Sequence, residues 1–274
     1  MNDSPYRQLF YSEINQSDEQ IDLAKAALYL ALEDDREFDP DEYLNALDTM
    51  ANEVQETLPE SLYPLRIIKS INKYLYNDLG LTGNTTNYYD PKNSFLNQVI
   101  ERRTGIPITL SLVYLEIAKR INFPMVGIGM PGHFLIQPDF EEAGIFVDAF
   151  NQGEILFPQD CQERLAQIYG QPVELQPQFF ATISNKQFLA RILTNLKVIY
   201  LNRNEGLKAI AAIDRILLLF PNAVVEKRDR GVLYCQLNFW AEARQDLESY
   251  VVNIPQAEDA EIIRQLLAKM ITDS

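Results

Sequence analysis

Hydrophobic residues recur every three or four positions through the first ninety residues, which is the spacing of amphipathic helices. Ser17 and Gln20 have the spacing of a capping box at one predicted helix start. Asp39–Pro40 provides an N-cap and a first-turn proline at the next. A third helix is predicted from about Pro59 to Gly80. The first third of the chain is therefore predicted to be helical.

The pattern changes from residue 91 onward. A short helix is predicted over about Asn93–Arg103, and another begins near Pro107. From Pro124 the period shortens to that of strands, with turns at Pro131-Gly132 and at residues 138–144. The predicted strands are Met125–Met130, His133–Gln137 and Ile145–Phe150. Helices followed by antiparallel strands predict an α+β core.

The last third of the chain contains an internal repeat. Three residues recur 34 positions later, namely Tyr200, Ala209 and Pro221 as Tyr234, Ala243 and Pro255. This period, with a small residue where two helices cross and a proline after the second, is typical of tetratricopeptide repeats. The pattern predicts repeats at about 190–223 and 224–257, followed by a capping helix over Asp259–Met270.

These patterns predict three regions. Residues 1–90 form a helical region packed on the core, residues 91–182 form the α+β core, and residues 183–274 form the all-α repeat segment. The acidic excess lies in the first region, which has 18 acidic and 6 basic residues, whereas the last region has 11 and 12. This asymmetry indicates different surfaces at the two ends of the chain.

The composition excludes several classes of function. A net charge of −15 argues against nucleic acid, whose phosphates would be repelled. No apolar run has the length of a membrane span and the start lacks a signal-peptide pattern, so we expect a cytoplasmic protein that binds no membrane. Cys161 and Cys235 lack C-x-x-C spacing and the chain has one histidine, so no metal site is predicted.

A glycine motif in the core is not interpreted as a nucleotide site. Gly127, Gly129 and Gly132 match G-x-G-x-x-G after a strand. A dinucleotide site requires a helix next, because the helix N-terminus holds the pyrophosphate. A turn and a predicted strand follow here instead, so no cofactor is predicted.

The candidate chemistry centres on His133, the single histidine, and on Asp148 fifteen residues later. Each lies in a predicted strand of the core. An imidazole held by a carboxylate is the orienting half of a nucleophilic triad. The same pair also serves in many proteins as a satisfied buried hydrogen bond without chemistry.

Three segments resemble a known family. They are Asn97–Arg120, Pro131–Phe134 (Pro-Gly-His-Phe) and Val147–Gly153 (Val-Asp-Ala-Phe-Asn-Gln-Gly). Together they resemble the bacterial SirB-type proteins, which join a transglutaminase-like core to C-terminal tetratricopeptide repeats. The resemblance covers most of the chain and implies a cysteine-protease-like arrangement of helix and antiparallel strands.

The resemblance also implies a site. In the transglutaminase-like superfamily a cysteine opens a core helix, where the helix N-terminus lowers its pKa, and histidine and aspartate lie on neighbouring strands. His133 and Asp148 match the last two positions, and the helix near Pro107 matches the first. Residues 105–111 contain no cysteine, so the family's thiol chemistry does not carry over to this chain.

Other residues are weaker candidates for the missing nucleophile. Thr109 and Ser111 lie in the first turns of the Pro107 helix, where the alternative roles are backbone capping and close packing. Cys161 starts another predicted helix and is alternatively a packing residue. Arg102 and Arg103 are candidate anion contacts of the pocket, and Pro107 is a candidate lining residue.

Two hypotheses for function follow. The first is a non-catalytic protein-interaction module, whose His–Asp cleft binds a protein or peptide while the repeats bind a partner. Four repeat-segment residues are candidates to face a peptide groove, namely Arg191, Asn195, Asn202 and Arg228. The alternative is an amide hydrolase or acyl transferase that uses Ser111, Thr109 or Cys161 with His133 and Asp148.

Overall fold

The computed structural model describes residues 5–35, 37–140 and 144–272. The chain forms two compact units, residues 1–192 and 193–274. The three predicted regions, with boundaries near residues 90 and 182, remain a prediction. The helices of the first unit are α1 Pro5–Ile14, α2 Leu23–Ala31, α3 Pro40–Glu56, α4 Pro64–Asn72, α5 Leu96–Arg102, α6 Pro107–Arg120 and α7 Pro158–Tyr169. A further helix, α8 Asn185–Asn202, begins in the first unit and ends in the second.

The helix starts in the first third agree only partly with their predictions. The N-cap at Asp39 is confirmed, because its side chain accepts a hydrogen bond from the backbone of Asp41. The capping box at Ser17 is wrong, since a 3₁₀ turn follows Ser17 and α2 begins later, with Asp22 as its N-cap. The predicted start at Pro59 is also wrong, because α4 begins at Pro64.

The strands of the described residues form two sheets. Their bounds are β1 Thr82–Gly83, β2 Thr104–Gly105, β3 Met125–Ile128, β4 Leu135–Pro138, β5 Phe146–Asp148 and β6 Glu154–Leu156. β1 and β2 pair in parallel, and β3 to β6 form an antiparallel sheet in sequential order. β6 was not predicted. Residues 141–143, within the predicted turn at 138–144, lie outside the described part of the chain.

Helix α6 occupies the centre of the first unit. Every residue from Pro107 to Ala118 is buried, because the helix packs against β3 and β4 of the sheet and also against α3. The register of the sheet pairs Ile136 with Val147. This register brings Asp148, the last residue of β5, to the start of β4, close to His133.

Asp18 fixes the start of α8 from a distant part of the sequence. Its two carboxylate oxygens accept hydrogen bonds from the backbone nitrogens of Asn185 and Lys186, at 2.8 Å and 2.9 Å. The Asn185 side chain in turn donates to the carbonyl oxygen of Asp18 at 2.7 Å. The N-terminal helical segment therefore provides the cap of a helix that lies more than 160 residues later.

The second unit is helical. It contains the end of α8, followed by α9 Gly206–Leu219, α10 Val224–Gln236, α11 Trp240–Asn253 and α12 Ala260–Thr272. α10 packs against α9 and α11, and α11 packs against α12. The repeated alanines Ala209 and Ala243 are fully buried, as the repeat pattern predicts. No helix in the described ranges is sufficiently long and apolar to cross a membrane.

We expect Gly231→Ala to destabilise the repeat unit by about 1–3 kcal/mol, because overpacking costs energy in a filled core. A Cβ at this position in α10 would lie 2.7 Å from Leu247 Cγ in α11. Gly206→Ala is the matched control, since its Cβ would lie 3.5 Å from the nearest atom, Leu237 Cδ1. Urea unfolding of the full chain measures both variants. Equal effects of the two substitutions would contradict the close approach of α10 and α11.

Candidate functional site: the His133–Asp148 pair

The imidazole of His133 and the carboxylate of Asp148 form a direct hydrogen bond. His133 Nε2 lies 2.7 Å from Asp148 Oδ2. The Asp148 side chain is fully buried, and 11% of the His133 side chain is exposed. Because an ionised carboxylate only accepts hydrogen bonds, Nε2 carries the proton. In the neutral ring Nδ1 is therefore left with a free lone pair.

Asp148 accepts further hydrogen bonds. Oδ1 accepts from the backbone nitrogens of Phe150 and Asn151, at 3.1 Å and 3.2 Å. Oδ2 accepts from Asn151 Nδ2 at 2.7 Å and from Arg164 Nη1 at 3.0 Å. Burial alone would raise the pKa of Asp148, but the hydrogen bonds from His133 and Asn151 outweigh it and lower the pKa. The carboxylate is therefore ionised at neutral pH.

The loop after Asp148 is held in place by the helical region of the first unit. Gly153 has a φ of +71°, which favours glycine, and its nitrogen donates to the Asp148 carbonyl at 2.9 Å. Asn72 at the end of α4 donates to the Gly153 carbonyl at 2.6 Å. A Cβ at Gly153 would lie 2.2 Å from Asn72 Oδ1. The hydroxyl of Tyr76 donates to the Ala149 carbonyl at 3.1 Å.

Comparison with known proteins places this site in a family. A family model described as the transglutaminase-like superfamily matches residues 41–194, which is more than half of the chain. The chain belongs to the transglutaminase-like superfamily. A second model, described as a tetratricopeptide repeat, matches residues 196–268.

Several relatives are similar over most of this chain. A UPF0162 protein of Xylella fastidiosa strain 9a5c is 36% identical over 255 residues, covering 90% of this chain and 89% of its own. A UPF0162 protein of Vibrio cholerae is 30% identical over 203 residues, covering 74% of this chain and 75% of its own. Human F-box only protein 21 is 29% identical over 204 residues, covering 70% of this chain but 31% of its own. No solved structure gave a significant match.

These matches confirm two predictions from the sequence. The SirB-type architecture is confirmed, since a transglutaminase-like core precedes a tetratricopeptide segment and the bacterial relatives are UPF0162 proteins. The fold class is also confirmed as an α+β transglutaminase-like core followed by a helical repeat segment. The catalytic and binding roles of individual residues remain predictions.

The hydroxyl candidates in α6 are buried and form no hydrogen bond with His133. Thr109 Oγ1 donates to the Asn93 carbonyl at 2.7 Å and accepts from the Ile106 nitrogen at 3.2 Å, which is a capping role. Ser111 Oγ is buried and has no hydrogen-bond partner among the residues that the structure describes. In the part of the chain that the structure describes, no hydroxyl or thiol forms a hydrogen bond with the imidazole of His133.

Cys161 lies in the core of the first unit. It is fully buried in α7, in an apolar cluster that includes Ile128, Leu135 and Phe146. Burial raises the pKa of its thiol to about 12, which opposes formation of the nucleophilic thiolate. The structure therefore supports the packing role for Cys161.

The basic residues before α6 have other partners. Arg102 forms an ion pair with Asp90, with an Nη2–Oδ2 distance of 3.0 Å. Arg103 has a φ of 51° and donates to the Leu79 carbonyl at 3.0 Å. Neither contacts the His133–Asp148 pair within the described residues, and Pro107 is the buried first residue of α6. The prediction that these arginines line the pocket has no support from this geometry.

The predicted groove residues lie in different surroundings. Arg228 pairs with Asp259 at 2.6 Å and stacks near the Tyr250 ring, so its charge is already neutralised. Arg191 lies against the His133 turn in the first unit, and its role as a repeat-groove residue stays a prediction. Asn195 is partly buried in α8 and Asn202 is exposed at its end.

Sequence reasoning missed two partners of Asp148. Asn151 lies three residues after Asp148, and this spacing is a recognisable signal for a turn whose backbone nitrogens are capped by the aspartate side chain. Arg164 has no such signal, because it lies on α7 and reaches Asp148 only through the packing of that helix. It also pairs with Glu154 at 2.7 Å.

We expect Asp148→Asn to lower the free energy of unfolding at pH 7 by about 1–3 kcal/mol, because it removes a charge that several donors stabilise. The folded-state pKa of Asp148 is depressed below its ordinary value of 3.8. The ionised carboxylate therefore stabilises the folded state fully above pH 3.8, and this stabilisation is lost as the pH falls through the folded-state pKa. Urea unfolding from pH 7 to pH 2 should show a shallower acid dependence in the variant. Exposed Asp139→Asn is the control, and an unchanged acid slope in Asp148→Asn would contradict the assignment.

We expect Cys161 to resist iodoacetamide in the folded chain at pH 8, because a pKa of about 12 leaves roughly one thiolate in ten thousand. Partly exposed Cys235 should react sooner, and guanidinium should make both thiols equally reactive. Peptide mass spectrometry after timed alkylation measures each site. Rapid alkylation of Cys161 that disappears in His133→Ala would instead identify Cys161 as an activated nucleophile.

Proposed function

We propose that this chain is a non-catalytic protein-interaction module of the transglutaminase-like superfamily. In this proposal the first unit binds a peptide or protein segment beside His133 and Asp148. The tetratricopeptide segment binds a second partner. The cytoplasmic location expected from the sequence belongs to the same proposal.

The observation that carries the proposal is the intact His–Asp pair, to which no hydroxyl or thiol of the described residues forms a hydrogen bond. Pro107 occupies the first position of α6, the place to which the family resemblance assigns a cysteine. Thr109 is committed to capping, and Cys161 is buried among apolar side chains. A base without an attacking group orients a ligand but forms no covalent intermediate.

The free Nδ1 of His133 gives the pair a binding role. Nε2 is committed to Asp148, so Nδ1 is available to accept a hydrogen bond from a peptide N–H. The buried charge of Asp148 fixes the ring orientation, which reduces the entropy that a ligand would otherwise lose on binding. The pair therefore supplies an oriented acceptor at a partly exposed position.

The repeat unit supports partner binding more generally. Tetratricopeptide segments present helical surfaces to other proteins. Several large apolar side chains of this unit are exposed, including Leu207, Trp240, Val252 and Ile262. Asn195 and Asn202 remain the candidate polar contacts of this surface, whereas Arg228 is neutralised by Asp259.

The test incubates the full chain with synthetic peptides that contain glutamine and lysine. Nuclear magnetic resonance of the imidazole reports binding at His133, the single histidine, and isothermal titration calorimetry measures the affinity of the variants, including the one that lacks it. We expect bound peptides to be recovered with unchanged mass and the chain to carry no adduct. His133→Gln should weaken binding about fivefold, since a neutral hydrogen bond contributes about 1 kcal/mol. Asp139→Asn, at the other end of the hairpin, should leave binding unchanged.

The opposite result is hydrolysis, deamidation or transfer of the peptides. If that turnover vanished in both His133→Gln and Ser111→Ala, the chain would be an enzyme with Ser111 as its nucleophile. The proposal of a non-catalytic module would then be wrong. Turnover that persisted in both variants would indicate a contaminating activity, which a second purification removes before the measurement is repeated.

A further inference from the structure

Arg191 differs from the other partly buried arginines of the first unit. Arg7, Arg102, Arg120 and Arg164 each form an ion pair with a carboxylate. Arg191 forms none with any residue that the structure describes, although it is partly withdrawn from water. Burial lowers its pKa, and no carboxylate opposes that effect. Since burying an unpaired charge is costly, a guanidinium in this state is suited to an anionic ligand.

Few of the hydrogen-bond donors of the Arg191 guanidinium are used within the protein. Nη2 donates to the backbone carbonyl of His133 at 3.2 Å, and the guanidinium carbon lies 5.3 Å from the centre of the Phe134 ring. The other guanidinium nitrogens have no acceptor among the described residues and are not sealed from solvent. Two or more donors are therefore available to a ligand.

Because Gly129 has no side chain, there is room beside it for the Arg191 guanidinium. A Cβ at this position would lie 3.0 Å from Arg191 Nη1, and the backbone there has no conformation that requires glycine. The helix that carries Arg191 is α8, whose start is capped by Asp18. Both features orient the guanidinium toward the turn that contains His133.

Aromatic residues also lie near Asp148. The Tyr88 ring lies 6.1 Å from the Phe150 ring, and Phe150 donates its backbone hydrogen to Asp148. Burial and Tyr89 raise the pKa of the Tyr88 hydroxyl, and the positive charge of Arg191 partly offsets that rise. Tyr88 therefore belongs to the aromatic surroundings of the Asp148 loop, and it is more than one-third exposed.

We propose that Arg191 is a carboxylate-binding subsite beside the His133–Asp148 pair. The ligand is a peptide carboxylate, from either the C-terminus or an acidic side chain. This subsite rests on the proposed peptide-binding role of the cleft. A guanidinium is the side chain best matched to a carboxylate, because two parallel N–H donors meet its two oxygens.

The net charge of −15 does not oppose this assignment. Charges on an exposed surface are screened beyond about 8 Å at physiological ionic strength. Among the described residues no carboxylate lies within ion-pair distance of Arg191, so a ligand carboxylate meets attraction where it binds. Long-range repulsion should slow the association without abolishing it.

The test titrates the full chain with three probes: N-acetyl-alanylalanine, its C-terminal amide, and N-acetyl-glutamyl-alaninamide. Resonances of the His133 imidazole report binding at the cleft. We expect at least one of the two acids to bind about tenfold tighter than the neutral amide. The acid that does so identifies the source of the carboxylate.

Three variants locate the effect. Arg191→Gln keeps a donor for the His133 carbonyl but removes the charge. In this variant the affinity for the tighter-binding acid should fall to that for the amide. Arg191→Lys should retain part of the preference. Exposed Arg66→Gln removes one positive charge elsewhere and should leave the preference unchanged.

Equal binding of acids and amide, or a preference that survives in Arg191→Gln, would overturn the subsite. Absence of binding by all three probes would overturn it as well. These outcomes differ from a failure of the proposed function, which is peptide turnover. If turnover occurred while the acid preference still depended on Arg191, the subsite would stand as a substrate contact of an enzyme.

Discussion

The buried carboxylate of Asp148 is the group on which the arrangement of the first unit depends. A charge removed from water costs several kcal/mol unless hydrogen bonds replace its hydration. Here the donors come from three elements: His133 before β4, the backbone and side chain of Asn151 after β5, and Arg164 on α7. Because these donors all bind one carboxylate, they fix the positions of the hairpin, the loop and the helix relative to one another.

In the proposed non-catalytic module, this dependence explains how the arrangement of His133 and Asp148 persists without a thiol at the start of α6. The position at the start of α6 is filled by Pro107, yet the donors around Asp148 are complete. The stability of the frame comes from satisfying the buried charge, and this requirement is independent of covalent chemistry. A chain that lost the nucleophile would therefore keep His133 and Asp148 for structural reasons and retain an oriented, partly exposed imidazole.

Local patterns in the sequence predicted most of the helices and strands, and they singled out His133 and Asp148, which form a hydrogen bond. Some features depend only on neighbours in the sequence and could therefore be predicted from it. They are the proline at the start of α6, the strand period, and the repeat of Ala209 and Ala243. The contacts of Arg164 with Asp148 and of Arg191 with His133 could not be predicted, because each depends on the element against which the helix of the arginine packs. Periodicity shows which residues share a helix face, but it does not show what that face meets. β6 was missed because it has three residues, one of them an exposed glutamate.

The cap that Asp18 provides for α8 has a consequence for the order of folding. Its hydrogen bonds join residues 167 and 168 positions apart, so this part of the first unit closes only after Lys186 has been synthesised. Contacts of such long range slow folding, because the entropy of closing the loop is lost before the contacts form. The repeat helices α10 and α11 pack against a neighbour in sequence and need no such delay. In a ribosome-bound chain, the carboxylate of Asp18 therefore lacks these two backbone donors until about two-thirds of the protein has been made.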